Sequence, residues 1–447
     1  MSSNNSGGRE GSLEAPKRHV LDWQNPAFYD EPALDKELER VFDICHGCRR
    51  CFSLCESFPT LFDAIDAAPS NELDTVDKKV YWDVVDNCYL CDMCFMTKCP
   101  YVPPHPFNLD FPHLMLRAKA VKSQKGEVST RDKILSSTDA VGRLAGIPIV
   151  VEVVNAVNRT ATGRKLLDKM LGVAVDAPIP EYHSNTARKR LKKHVSQNVP
   201  QPSAETSGKV AIFTTCYGNR NEPELATDLA AIFEHNGIVI TLVDSEKCCG
   251  MPKLELGDLQ AVARLKESNI PALKRAIDAG HDIIAPIPSC VLMFKQELPL
   301  MFPNDADVMA VKARIFDPFE YLMLRHKAGL LKTEFKTRIG KVSYHVPCHL
   351  RVQNLGLKTR DILKLIPETT VDVIERCSGH NGTYAVKKEF RAASMKIGKP
   401  VVTKVAAAKP DYYASDCPMA GHQIESGLAG DQQPTHPLKL LRIAYGI

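Results

Sequence analysis

No apolar run in this chain of 447 residues approaches the roughly 18 residues needed to cross a bilayer. The best candidate, Ile147 to Val157, is short and interrupted by Pro148 and Glu152, so it reads as a buried or amphipathic helix with no transmembrane span. The first dozen residues, MSSNNSGGREGS, lack the apolar stretch of a secretory signal, which makes a reducing, cytoplasmic setting the expectation. Net charge is also nearly absent: 57 Lys and Arg stand against 53 Asp and Glu, a formal +4 that says little about partners. There is no GxGxxG after an expected strand and no GxxxxGK[ST] loop, so a flavin or nicotinamide has to belong to a partner. No nucleic-acid module is evident either.

Cysteine is plentiful. Fifteen cysteines in a reducing compartment are poor candidates for disulfides, because cellular thiol pools keep such pairs reduced. An odd total also argues against complete pairing, and metal or redox chemistry is the better explanation. The length implies two or three domains, and 44% apolar with 25% charged residues is ordinary for a globular protein.

The cysteines fall in two regions separated by a cysteine-free stretch from Pro100 to Thr215. Residues 1–30 read as a flexible N-terminus. In 31–110, apolar spacing predicts helices over 32–44 and 76–87, each leading into a cysteine string. Residues 111–208 read as a helical connector ending in a polar, Pro- and Lys/Arg-rich linker over 179–208. The basic run Arg188 to His194 within it reads as a solvated connector. From Lys209 short β-branched runs alternate with helices, which implies α/β structure. The pattern restarts near 341, giving two halves, 209–335 and 336–447.

The N-terminal strings carry the most specific signal. Cys45, Cys48, Cys51 and Cys55 spell CxxCxxCxxxC; Cys88, Cys91, Cys94 and Cys99 spell CxxCxxCxxxxC followed by Pro100. Three thiolates at intervals of three wrap one face of a cubane, and the fourth characteristically serves the other cluster. Two [4Fe–4S] clusters are therefore expected, one on Cys45, Cys48, Cys51 and Cys99, the other on Cys88, Cys91, Cys94 and Cys55. Zinc is the competing reading, but zinc knuckles use two separated CxxC pairs. Two details depart from the usual pattern: no Pro directly follows Cys55, and the last gap of the second string is one residue longer than usual.

In the C-terminal halves Cys216 matches Cys348, Cys249 matches Cys377 and Cys290 matches Cys417, at offsets of 132, 128 and 127 residues. This is an internal repeat. Each of these cysteines lies where an expected strand ends, the edge at which open α/β sheets place ligands. Small buried hydrophobes are the plainer reading of the same residues. Cys216, Cys248-Cys249-Gly250 and Cys290, and then Cys348, Cys377-Ser378-Gly379 and Cys417, resemble the CCG domains of the heterodisulfide reductase D subunit, the anaerobic glycerol-3-phosphate dehydrogenase C subunit and related iron–sulfur oxidoreductases.

That resemblance implies an α+β multidomain protein: an α-helical, ferredoxin-like two-cluster module followed by two pseudo-symmetric α/β CCG repeats. It implies five cysteines per complete repeat, whereas here Met293 and Ala420 stand in the closing positions and Ser378 replaces one of the adjacent pair. Cys216, Cys248, Cys249, Cys290, Cys348, Cys377 and Cys417 are thus candidates for at most one further iron–sulfur or metal centre. His345, His349, His380 and His422 gather near the depleted second set, and imidazole can replace thiolate at a metal. The implied role is an electron-transfer subunit of an oxidoreductase. The implied partner is a flavoprotein dehydrogenase subunit, or, from the phrase NLDFPHLMLRAKA, a rubrerythrin-type protein. The alternative is a non-catalytic iron–sulfur sensor or assembly protein.

Overall fold

The computed structural model describes residues 15–430 and 433–447. They form two compact units, one of residues 15–127 with 255–258, the other of 128–254 with 259–447. Of the expected flexible N-terminus, residues 1–14 lie outside the described residues. Residues 15–30 are held down: Arg18 pairs with Asp92 at 2.7 Å and Asp110 at 3.0 Å, and Trp23 is buried.

The first unit is helical. Asp30 caps the helix Glu31–Cys48 by accepting from the Ala33 N–H, and Pro32 fits its first turn because no helical N–H is lost there. Leu34, Leu38, Val41 and Phe42 recur at helical spacing and are buried. The helix ends at Arg49, in the left-handed conformation at φ 51°, directly after Cys48. Helices Ser57–Asp66, Lys79–Asn87 and Phe111–Gln124 close the core, with Phe111 4.8 Å from Phe58 and 6.1 Å from Phe42 between ring centroids.

The second unit opens with helices Thr130–Leu135, Thr138–Ala145, Val150–Arg159 and Ala161–Leu171. The stretch expected as a linker, 179–208, instead lies along the first α/β repeat. It contains a short helix, Ala187–Leu191, and Arg190 pairs with Glu224 at 2.7 Å. Asn198 donates to the Glu234 carbonyl at 2.9 Å, and the Ser207 N–H donates to Asp282 at 2.7 Å. Polar composition suggested a solvated connector; the side chains are used in these specific hydrogen bonds.

Two parallel sheets follow. The first contains β1 (Lys209–Ile212), β2 (Val239–Leu242), β3 (Asp282–Ile284) and β4 (Ile315–Phe316) in the order β2-β1-β3-β4. The second contains β5 (Lys341–His345), β6 (Thr370–Ile374) and β7 (Tyr412–Ser415) in the order β6-β5-β7. Register matches between them: β1 pairs Val210 with Ile240 and Asp282, as β5 pairs Val342 with Val371 and Tyr412. In each sheet the strand order reverses at the central strand, which opens a crevice at the carboxyl ends. Val210, Ile212, Phe233, Val342, Tyr344, Leu438 and Tyr445 belong to one continuous buried cluster, so the repeats share a core.

Candidate iron–sulfur sites

In the first unit, left-handed backbone interrupts each cysteine string. Left-handed residues stand between the cysteines, Arg49 between Cys48 and Cys51, Leu90 between Cys88 and Cys91, and Asp92 between Cys91 and Cys94. Such residues reverse the sense of the chain within a turn, so the first string leaves the helical course after Cys48 and the second bends on either side of Cys91. Two of these positions are braced: Arg18 grips Asp92, and Arg49 pairs with Asp66 at 2.6 Å.

Burial and then neighbouring thiols hold Cys45, Cys51, Cys55 and Cys94 above their ordinary range. Cys45 is raised by burial and then by Cys51, Cys99 and Cys48. Cys51 is pushed up to about 12 by burial, then by Cys99 and Cys48. Cys55 is likewise at about 12, with Cys88 as the repelling neighbour. Cys94 is raised by burial and by Cys51, Cys91, Cys88 and Cys55. The neighbours sort into Cys45, Cys48, Cys51, Cys99 and into Cys55, Cys88, Cys91, Cys94, with Cys51 and Cys94 adjacent between them. Buried thiols that oppose one another's ionisation fit a cationic iron–sulfur core, which needs all of them as thiolates. Lys119 donates to the Cys88 carbonyl and eases that thiol's ionisation, and Lys98 does the same for Cys51 through its charge.

In the first repeat the carboxyl ends of the strands gather four more. The Cys216 thiol donates to Cys248 across 4.0 Å, Cys249 hydrogen-bonds both Cys248 and Cys290, and Cys248, Cys249 and Cys290 are buried. The two donated bonds favour a thiolate at Cys248, while Cys216 and Cys249 are held high. Thr215 precedes Cys216 at φ 65°, a strained conformation for a β-branched residue, and its hydroxyl caps the short helix Cys216–Arg220. Gly250 must be glycine at φ 105°. Met293, in the closing position, is fully buried, and its methyl lies 3.4 Å from where a Cβ on Gly250 would stand.

The second repeat is arranged differently. Cys377 accepts from the Gly379 N–H at 3.3 Å and from Asn381 at 3.6 Å. Cys417 is raised to about 11, by burial first and then by Asp416 and the first repeat's Cys290. Cys348 heads the short helix Cys348–Arg351, which lies against Pro288–Leu292 of the first repeat. His345 is buried with both nitrogens bonded, to Ser415 at 3.0 Å and to the Arg376 carbonyl at 2.9 Å, and so serves the sheet. His349 bonds Ser289 at 2.8 Å, and His422 bridges Glu222 at 3.0 Å and Glu425 at 2.9 Å. His380 differs: both ring nitrogens are buried without a hydrogen-bond partner, and burial followed by His422 and His349 lowers it to about 4. Among the described residues, no group of three or more His, Cys, Asp or Glu side chains is set to hold a single metal ion.

Several residues at these sites escaped sequence reading. Asp139 accepts from the Cys248 N–H at 2.7 Å, and Asn269 donates to the Cys248 carbonyl at 3.0 Å. Both are remote in sequence and carry no local signal. Asp416 was more legible, standing at a strand end beside Cys417. It accepts from Tyr344 and from Thr359 at 2.9 Å, and its electrostatic partner is Asp317, at the same edge of the first sheet.

Comparison with known proteins agrees with this architecture. The CCG cysteine-rich domain matches residues 210–295 and again 342–425. The anaerobic glycerol-3-phosphate dehydrogenase C subunit of Escherichia coli K12 is 28% identical over 339 residues, 75% of this chain and 82% of that protein. The fumarate reductase (CoM/CoB) B subunit of Methanothermobacter marburgensis is 23% identical over 419 residues, 89% of this chain and 72% of that protein. The glycolate oxidase iron–sulfur subunit of E. coli K12 is 23% identical, covering 84% of this chain and 88% of its own length. The chain thus carries two CCG cysteine-rich domains, each on one of two matched parallel sheets.

Proposed function

We propose that the protein is the iron–sulfur electron-transfer subunit of an oxidoreductase complex, with two [4Fe–4S] clusters in a ferredoxin-like module over 31–110. The observation that supports this reading most is which thiols raise one another across the strings: Cys99 acts on Cys45 and Cys51, and Cys88 acts on Cys55. Cys45, Cys48, Cys51 and Cys99 are assigned to one cluster, and Cys55, Cys88, Cys91 and Cys94 to the other. Bound clusters supply one-electron redox chemistry at potentials set by charge, hydrogen bonding and solvent exposure.

The chain's own residues tune those quantities. Cys88 and Cys94 are buried and Cys45 and Cys55 half-buried, while Lys98 and Lys119 bring positive charge to Cys51 and Cys88. Electrons would pass to or from the repeats, where Cys216, Cys248, Cys249 and Cys290 form the better-conditioned set for one further centre. The second repeat, with Ser378 and Ala420 in ligand positions, is assigned none of its own. Relatives named as dehydrogenase and reductase subunits support a redox partner, with a flavoprotein dehydrogenase subunit favoured over a rubrerythrin-type protein. Eight thiols saturate two cubanes, which favours relay over a sensor that exposes a three-ligand cluster. Anaerobic purification with iron and sulfide analysis tests the reading: about eight iron atoms in the N-terminal sites are expected from two four-iron clusters. Zinc in place of iron after anaerobic reconstitution would overturn it.

A further inference from the structure

The outer edge of the first sheet carries backbone groups that neither the thiol sites nor the sheet itself uses. β2 is a terminal strand in the order β2-β1-β3-β4, and its register divides its backbone in two. Val239 donates its N–H to the Gly208 carbonyl and Val243 to that of Ile212, so the odd-numbered residues face β1. Ile240 and Leu242 therefore turn their N–H and C=O groups away from β1. Among the described residues no strand or bridge pairs with them, and the nearby Asn198 reaches only the Ile238 carbonyl, at 3.5 Å. Ile240 is 5% exposed, and backbone groups held that far from solvent cost free energy until something satisfies them. They open into a cleft of about 450 Å³ between β2 and residues 188–194.

The opposite wall of the cleft is cationic, lined by Arg188, Lys189, Lys192 and His194. Arg188 is engaged, with the Asp244 carbonyl at 3.2 Å and Glu246 at 3.6 Å, and His194 bonds Glu234 at 3.1 Å. Lys189 donates to the Ser184 carbonyl at 2.7 Å, which leaves its charge unmatched, and the exposed Lys192 has no ion-pair partner among the described residues. A compact anion would use the lysines and the N–H donors, but it would leave the Ile240 and Leu242 carbonyls unmatched and face the Asp244 carboxylate in the same lining. An extended chain answers both needs: its N–H and C=O groups repeat every second residue, about 6.6 Å apart, as those of Ile240 and Leu242 do, and its side chains carry the charge. We propose that β2 is a docking edge for an acidic, extended segment of a partner protein, which adds as a further strand beside Ile240 and Leu242 and pairs its carboxylates with Lys189 and Lys192. Through Asp244 and Glu246, Arg188 ties this edge to the loop that carries Cys248 and Cys249, so the segment seats its protein beside the first repeat's thiol loop.

The test uses the full-length protein, prepared anaerobically, and a fluorescent peptide that alternates Glu with Val, followed by anisotropy and by hydrogen exchange. The peptide is expected to bind, more weakly as salt rises, and at saturation to slow exchange of the Ile240 and Leu242 amides by at least about tenfold. Lys189→Glu with Lys192→Glu should weaken binding by at least about tenfold and make a Lys–Val peptide the better ligand. The Glu–Val peptide N-methylated along its backbone keeps its charge but cannot donate to the Ile240 and Leu242 carbonyls, and should bind at least about tenfold more weakly. Iron content and thermal midpoint, unchanged in the double variant, show that the lysine substitutions leave the fold intact. Failure of the Glu–Val peptide to bind would overturn the proposal. So would binding that N-methylation does not weaken, binding that leaves the Ile240 and Leu242 amides exchanging as before, or displacement of the peptide by inorganic phosphate at equal concentration, which would make the cleft an anion site.

Discussion

The loops after β1, β2 and β3 carry Cys216, the Cys248–Cys249 pair and Cys290, whose thiols form one hydrogen-bonded chain. The corresponding loops after β5, β6 and β7 carry a cysteine and a histidine each: Cys348 with His349, Cys377 with His380, Cys417 with His422. The same strand order thus supports a thiol set in one repeat and, in the other, a mixed edge turned toward its neighbour. His349 reaches Ser289, next to Cys290, and His422 reaches Glu222, just past Cys216. The second repeat thus packs its histidines against the first repeat's cysteine loops, and the shared core binds the two together.

The largest contrast should come from thiol removal. Cys249→Ala is expected to abolish any iron held by the repeats, whereas Cys377→Ala leaves it, as read by iron content and low-temperature spin resonance of the whole chain. Equal losses from both would erase the distinction between the repeats. Two noncubane signatures, or rapid heterodisulfide turnover without a partner, would show that Ser378, Met293 and Ala420 are tolerated.

Acid should act on the second repeat first. His345, His380 and His436 are each lowered to about 4, chiefly by burial. Unfolded histidine binds its proton near 6.5, so their stability contribution is present above that pH and is lost as pH falls toward 4, by up to about 3 kcal/mol each. Limited proteolysis between pH 7 and 4.5 should cut within 336–447 before 209–335. First cleavage in the first repeat would break the comparison.

A smaller effect of opposite sign is expected at Asp317, raised to about 8 by burial and then by Asp416 and Glu320. An acid held above its unfolded value stabilises at low pH and loses that contribution as pH rises through the folded value. Asp317 also caps the helix Pro318–Lys327, a role Asn fills equally well. Asp317→Asn should therefore gain thermal stability relative to wild type as pH rises from 5 to 9, and a parallel pH profile would refute the assignment.

The smallest effect is at His422, more than a third exposed, where Glu222 and Glu425 outweigh burial and raise the imidazole. Its stabilisation is present at lower pH and is lost as pH rises past its raised value. Solvent screening keeps His422→Ala within about 1 kcal/mol, measured as a midpoint shift at pH 6 that shrinks at pH 9.

Much of this was legible from spacing. Strands ending near Cys216, Cys290 and Cys417 followed from β-branched runs, and the duplication followed from cysteine offsets alone. The short β4, Ile315–Phe316, left no periodic trace at two residues. The stretch 179–208 misled because composition does not show which polar groups find partners: Asn198 and Ser207 look like linker residues until Glu234 and Asp282 are seen beside them. Asp139 and Asn269 were invisible for a related reason, being brought to Cys248 only by tertiary folding.

If the eight N-terminal thiols hold two clusters with crossed fourth ligands, Cys99→Ser separates them. In the full chain, prepared anaerobically, Mössbauer and spin-resonance spectra should show the cluster of Cys45, Cys48 and Cys51 altered or lost and that of Cys55, Cys88, Cys91 and Cys94 intact. Cys55→Ser should give the reverse. If Cys99→Ser and Cys91→Ser disturb the same cluster, the crossed assignment is contradicted.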